Sequence, residues 1–81
     1  MNGGTRMNII ICGAGKTGAH AAQTLAADGA NVTVIDESQA ALDALADSLD
    51  VATLLGEPAV AKNLVTAGVA DADVVITATD V

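Results

Sequence analysis

Apolar residues in this chain come in two kinds of block, which alternate. The first kind is a short, mostly apolar run: residues 7–12, 31–35, 51–55 and 73–78. Runs of this length without polar alternation are what strands buried on both faces look like, as in a parallel sheet. The second kind is a stripe at helical spacing. Residues 16–28 suit a helix with Ala21, Ala22 and Leu25 facing inward, stopped at Asp28-Gly29 by a glycine suited to a left-handed cap. Ser38 can cap a second helix running to about Ser48, where Leu42, Leu45, Ala46 and Leu49 follow the i, i+3, i+4, i+7 pattern. Pro58 opens a third, carrying Val60, Leu64 and Val65, which ends before Gly68.

Strand–helix alternation with short turns implies parallel pairing and right-handed crossovers, hence an α/β fold. The expected sheet has about four strands in the order 3-2-1-4. The chain stops just after the fourth strand, so the expectation is an incomplete domain over residues 7–81, preceded by a flexible extension over residues 1–6. Strand four then has an open edge, which favours self-association.

The first strand leads into Ile9-Ile10-Ile11-Cys12-Gly13-Ala14-Gly15-Lys16-Thr17-Gly18, a G-x-G-x-x-G turn opening a helix. Each glycine has a physical role: Gly13 for the tight turn, Gly15 for close approach of a pyrophosphate, Gly18 for close helix–strand packing. The helix N-terminus offers free N–H groups and partial positive charge to phosphates. The second strand ends in Asp36, eighteen residues after Gly18, where a carboxylate accepts hydrogen bonds from an adenosine ribose. Together these read as a Rossmann-like, dinucleotide-binding half. The string Gly15-Lys16-Thr17 is not a P-loop, because the glycine that motif needs falls at Ile10.

Composition narrows the function further. Against Arg6, Lys16 and Lys62 stand ten Asp and Glu, a net charge of −7, which argues against nucleic acid and against an anionic membrane surface. No apolar run approaches the ~20 residues of a membrane span, and no secretion-type leader is visible, so the expected location is cytoplasmic. With 52% hydrophobic residues but no aromatic one, the core is built from small pieces. One cysteine, Cys12, rules out an intrachain disulfide or a cysteine-cluster metal site.

From Met7 to Val81 the chain resembles the N-terminal nucleotide-binding part of the RCK/KTN family, which regulates potassium channels and the Trk and Ktr uptake systems from the cytosolic side. Four blocks carry the resemblance: Met7 to Gly18, Val34-Ile35-Asp36, Gly56, and Leu64-Val65-Thr66-Ala67-Gly68-Val69-Ala70-Asp71-Ala72-Asp73 running into Val74-Val75-Ile76-Thr77-Ala78-Thr79. Glu57-Pro58 stands where that family has Asp-Ala or Asn-Ala. The resemblance implies a regulatory nucleotide-binding module, not an enzyme, partnered with a membrane potassium transporter or channel subunit. The alternative is the cofactor-binding front of an NAD-dependent dehydrogenase.

The candidate cofactor residues are Gly13, Ala14, Gly15, Lys16, Thr17, Gly18, Asp36, Glu37, Gly56, Ala78 and Thr79, with no catalytic or metal-binding residue. For the glycines and Asp36, ligand binding outweighs a bare turn or a capping role. Asp36 with Glu37 would repel a 2′-phosphate, so NAD(H) is favoured, ATP/ADP is the alternative, and NADP is disfavoured. Lys16 reads equally as a solvated helix lysine or a phosphate contact, and Thr79 equally as a strand residue or a ligand contact. His20 has no partner for acid–base work and reads as a solvated histidine. Cys12 reads as an inert core thiol, and Asp43, Asp47 and Asp50 as a solvated face.

Overall fold

The computed structural model describes residues 6–57, 68 and 71–78. Four strands, β1 (Asn8–Cys12), β2 (Asn31–Asp36), β3 (Ala52–Leu55) and β4 (Val74–Thr77), form one parallel sheet in the order β3-β2-β1-β4. Two helices are described, α1 (Lys16–Ala27) and α2 (Gln39–Ser48). This is the expected Rossmann-like α/β arrangement, each element within two residues of its predicted bounds. The third predicted helix lies outside the described residues.

The helices begin and end where their chemistry allows. Ser38 accepts the Ala41 N–H at 3.2 Å, the N-cap that α2 needs. At the end of α1, Gly29 adopts φ +90, its N–H donates to the Ala26 carbonyl, and the Ala30 N–H donates to Leu25. Those two bonds make a Schellman stop, which requires the left-handed residue glycine supplies cheaply.

Ile9, Ile11, Val32 and Val34 pack with Ala22, Leu42 and Leu45 into one core. Ile10, Cys12 and Ile35 form a second cluster, with Leu54 and Ala72 against it. Burying a side chain such as Ile11, Ile35 or Leu42 contributes roughly 1.5–3 kcal/mol. Small residues on α1, Gly18 and Ala22, are fully in the core, and Ala21 and Leu25 pack at its margin. Ala46, expected inward, is exposed: the buried seam of α2 runs through Leu42, Leu45 and Leu49, and the short methyl on its flank does not reach it. The outer strands are more open than such apolar runs suggest, with Leu55 52%, Val74 39% and Val75 44% exposed.

At the amino ends of the strands, polar groups staple β4 to β1. The Asn8 N–H donates to the Asp73 carboxylate at 2.7 Å, and the Asp73 N–H returns a bond to the Asn8 carbonyl at 2.7 Å. Asn31 Nδ2 donates to Asn8 Oδ1 at 3.1 Å. This gives the aspartate ahead of β4 a structural role, at the end of the sheet away from the glycine turn.

Candidate nucleotide-binding site

Of the candidate residues, Gly13, Ala14, Gly18, Asp36, Gly56 and Ala78 come together at the carboxyl end of the sheet. The backbone turns sharply at the end of β1 because Gly13 takes φ +114, closed to ordinary side chains, while its N–H donates to the Ile35 carbonyl at 2.8 Å. Gly18 returns the first turn of α1 against that loop. A β-carbon at position 18 would collide with the Gly13 carbonyl oxygen and stand 3.5 Å from the Ala78 β-carbon. Ala78 follows β4, is 8% exposed, and donates its N–H to the Cys12 carbonyl at 2.9 Å. Gly13, Gly18 and Ala78 thus form one tightly packed corner.

Gly15 differs from these. It is exposed, with φ −70 and ψ −169, a conformation any residue can adopt. Nothing in its own backbone demands glycine, so the absence of a side chain there leaves open approach to the turn. Gly15 is also the N-cap of α1, with no side-chain cap and no acidic residue in the first turn. The first-turn N–H groups of Lys16, Thr17 and Gly18 have no acceptor inside the helix by construction. An anion at this end would meet N–H donors, the positive end of the helix dipole and no competing carboxylate in that turn.

Asp36 ends β2 facing the same turn. Its Oδ2 accepts the Ala14 N–H at 2.7 Å and its Oδ1 accepts the Ser38 N–H at 2.8 Å. A carboxylate has about four lone-pair sites, so two remain for hydroxyl donors. Gly56, after β3, donates its N–H to the Asp36 carbonyl at 2.9 Å, bringing the third strand's end to the same corner. Glu37 is exposed next to it. Thr79 lies outside the described residues.

The Asp36–Ala14 and Asp36–Ser38 bonds were not read from the sequence. The second is a local Asx-type turn and could have been anticipated from Asp-x-Ser. The first depends on β1 and β2 pairing with Cys12 opposite Ile35, a register that single-sequence periodicity does not reveal.

Other candidates sit apart. Lys16 and His20 are exposed and share an open cleft of about 590 Å³ between α1 and α2, also lined by Gln23, Leu45 and Ser48. Asp36, Gly56 and Ala78 do not line that cleft, so volume alone does not mark the candidate site. Cys12 is 5% exposed, and burial pushes its thiol pKa up, as expected of an unreactive core cysteine. Asp43 accepts a bond from Gln39 Nε2 at 2.7 Å on the exposed face of α2. Among the described residues no group of His, Cys, Asp or Glu could hold a metal ion, and no helix is long and apolar enough to cross a membrane.

This chain is similar to three bacterial proteins named Trk system potassium uptake protein TrkA. It is 36% identical to that of Haemophilus influenzae over 73 residues, covering 90% of this chain and 16% of the relative. It is 34% identical to that of Azorhizobium caulinodans with the same coverages, and 38% identical to that of Halomonas elongata over 91% of this chain and 16% of the relative. The chain therefore spans about one sixth of the length of these curated relatives. Residues 9–81, which include the glycine turn, Asp36 and β4, match the TrkA-N domain, and the chain belongs to that family.

Proposed function

We propose that this chain is a regulatory nucleotide-binding domain of a potassium uptake system, taking NAD(H), with ATP/ADP as the alternative ligand. The observation that carries this reading is the Asp36 carboxylate 2.7 Å from the Ala14 N–H, which puts a ribose acceptor against an uncapped glycine turn. In this reading the Gly13–Gly18 turn and the start of α1 hold the pyrophosphate. Asp36 takes the adenosine ribose hydroxyls, and Glu37, Gly56, Ala78 and Thr79 border the cofactor. Lys16, on the exposed first turn of α1, adds a positive charge that can reach toward the phosphates. The group fits: Gly15 leaves the approach open, no acid in the first turn opposes an anion, and Asp36 keeps spare acceptor sites.

The role is regulation rather than catalysis. A nucleotide bound here can act on a partner only by favouring one arrangement of the assembly over another, through differential affinity. The partner is a membrane potassium transporter or channel subunit, reached from the cytoplasmic side. Self-association of the chain belongs to the same reading. The similarity to proteins named for Trk potassium uptake supports this choice over a dehydrogenase front half.

Thermal shift across NAD⁺, NADH, NADPH, ATP, ADP and AMP is the test. At a hundredfold excess over the dissociation constant, a ligand that binds only the folded chain stabilises it by about 2.7 kcal/mol. Absence of any shift at millimolar ligand overturns the reading.

A further inference from the structure

The Asp36 side chain bonds both the glycine turn and the turn after β2. Ala14 is 8% exposed, so its N–H has little access to water and depends on an acceptor from the protein. That acceptor is charged and close, the stronger class of hydrogen bond. The N–H just before it, on Gly13, has a backbone acceptor instead, the Ile35 carbonyl, and the first helical bond, Ala19 N–H to Gly15, follows five residues on. The peptide at Ala14 lies between them, at the point where the chain changes from strand to helix. Its orientation sets which way the following N–H groups face.

We propose that Asp36 is a positioning residue: its carboxylate latches the Ala14 and Ser38 N–H groups together and holds the phosphate turn in shape before any nucleotide arrives. The proposal rests on the reading that a nucleotide binds here and deepens it, because a ribose acceptor needs no bond to the turn. The latch couples the two halves of the site. A ligand's phosphates meet donors already aligned, and losing the carboxylate weakens phosphate binding even for a ligand with no hydroxyl on its ribose. Asparagine cannot replace aspartate in this role. It has one acceptor oxygen for two N–H groups, and its amide turns a donor toward one of them.

Two measurements on the whole chain decide it. The first needs no ligand: amide hydrogen exchange in the wild type and in Asp36→Asn. The latch predicts exchange at Ala14 or Ser38 about tenfold faster in the variant, the size of one lost bond to a charged group, while amides of β1 keep their protection. Unchanged exchange at both positions in a folded variant overturns it. Should Asp36→Asn fail to fold, through-bond scalar coupling from the Ala14 nitrogen to the Asp36 carboxyl carbon in the wild type decides instead, and its absence overturns the latch.

The second compares ADP with 2′,3′-dideoxy-ADP. The latch predicts that Asp36→Asn weakens both, the dideoxy compound by about fivefold or more. Loss confined to ADP means the carboxylate serves the ribose alone and overturns the proposal. If neither compound binds the wild type, the ADP alternative of the nucleotide reading fails, while the amide measurement still decides the latch on its own.

Discussion

The α-carbon of Gly18 sits so close to the carbonyl of Gly13 that a single β-carbon at position 18 would collide with that oxygen. The neighbour is backbone in a turn of fixed shape, not a flexible side-chain end, so it cannot move aside cheaply. Gly18→Ala should therefore cost about 2–3 kcal/mol, at the upper end of ordinary overpacking. Gly29→Ala is the control: nothing lies within 4 Å of the added carbon, but φ +90 carries a strain of about 1–2 kcal/mol. Urea unfolding midpoints should rank wild type above Gly29→Ala above Gly18→Ala, and the reverse order of the two variants would show that the turn relaxes.

Gly15 gives the opposite expectation. Its φ of −70 suits any residue and it is exposed, so Gly15→Val should fold with stability within about 1 kcal/mol of wild type. Its branched side chain would stand where a pyrophosphate must approach. Calorimetry should find nucleotide binding lost while the circular dichroism spectrum is kept. Undiminished affinity would place the ligand elsewhere.

The three glycines of the turn also show how far the sequence could be read. The spacing of Gly13, Gly15 and Gly18 located the turn and gave each a role; the structure has the turn conformation at 13 and the tight packing at 18, while 15 is exposed. The strand bounds and those of the two described helices were legible because each run or stripe has a period tied to one kind of element, and the strand order followed from parallel pairing with right-handed crossovers. The packing of Leu42 and Leu45 followed the same way. Ala46 did not, since periodicity gives direction around a helix but not how far a one-carbon side chain reaches. The Asp36–Ala14 bond joins residues 22 apart and exists only through strand register. Asp73 showed the same limit: its place at the start of the fourth run was plain, its bond to Asn8 was not.

Asp36→Ala should weaken NADH binding by roughly 1.5–3 kcal/mol, the range for hydrogen bonds to a charged group. Wild type should also bind NADH more tightly than NADPH, because the 2′-phosphate would be set against Asp36 and Glu37. Competition calorimetry measures both. Stronger binding of NADPH would mean that the carboxylates point away from the ribose in the bound state.

Ser38→Ala removes the side-chain acceptor of the Ala41 N–H at the start of α2. The expected loss is about 1 kcal/mol, the usual value of an N-cap, with nucleotide affinity little changed. The Ser38 N–H is kept in this variant, so its bond to Asp36 survives. Chemical denaturation reads the first expectation and titration the second. A large fall in affinity with unchanged stability would reverse the assignment of Ser38 as a cap.

The last prediction concerns association. Among the described residues β4 forms one edge of the sheet, and Val74 and Val75 on it are 39% and 44% exposed. An open strand edge with apolar side chains is a template for pairing, and a two-fold dimer is the simplest closed arrangement. The formal charge of −7 on each copy opposes it. Raising salt screens that repulsion over a length of about 10 Å at 0.1 M and about 3 Å at 1 M, so association should strengthen as salt is added. Sedimentation equilibrium at about 100 μM protein, at low and high salt, should show a mass rising toward the dimer. A strict monomer under both conditions would mean that the edge is covered by the chain itself. Val75→Lys, which puts a charge on that edge, should restore the monomer if β4 is the contact.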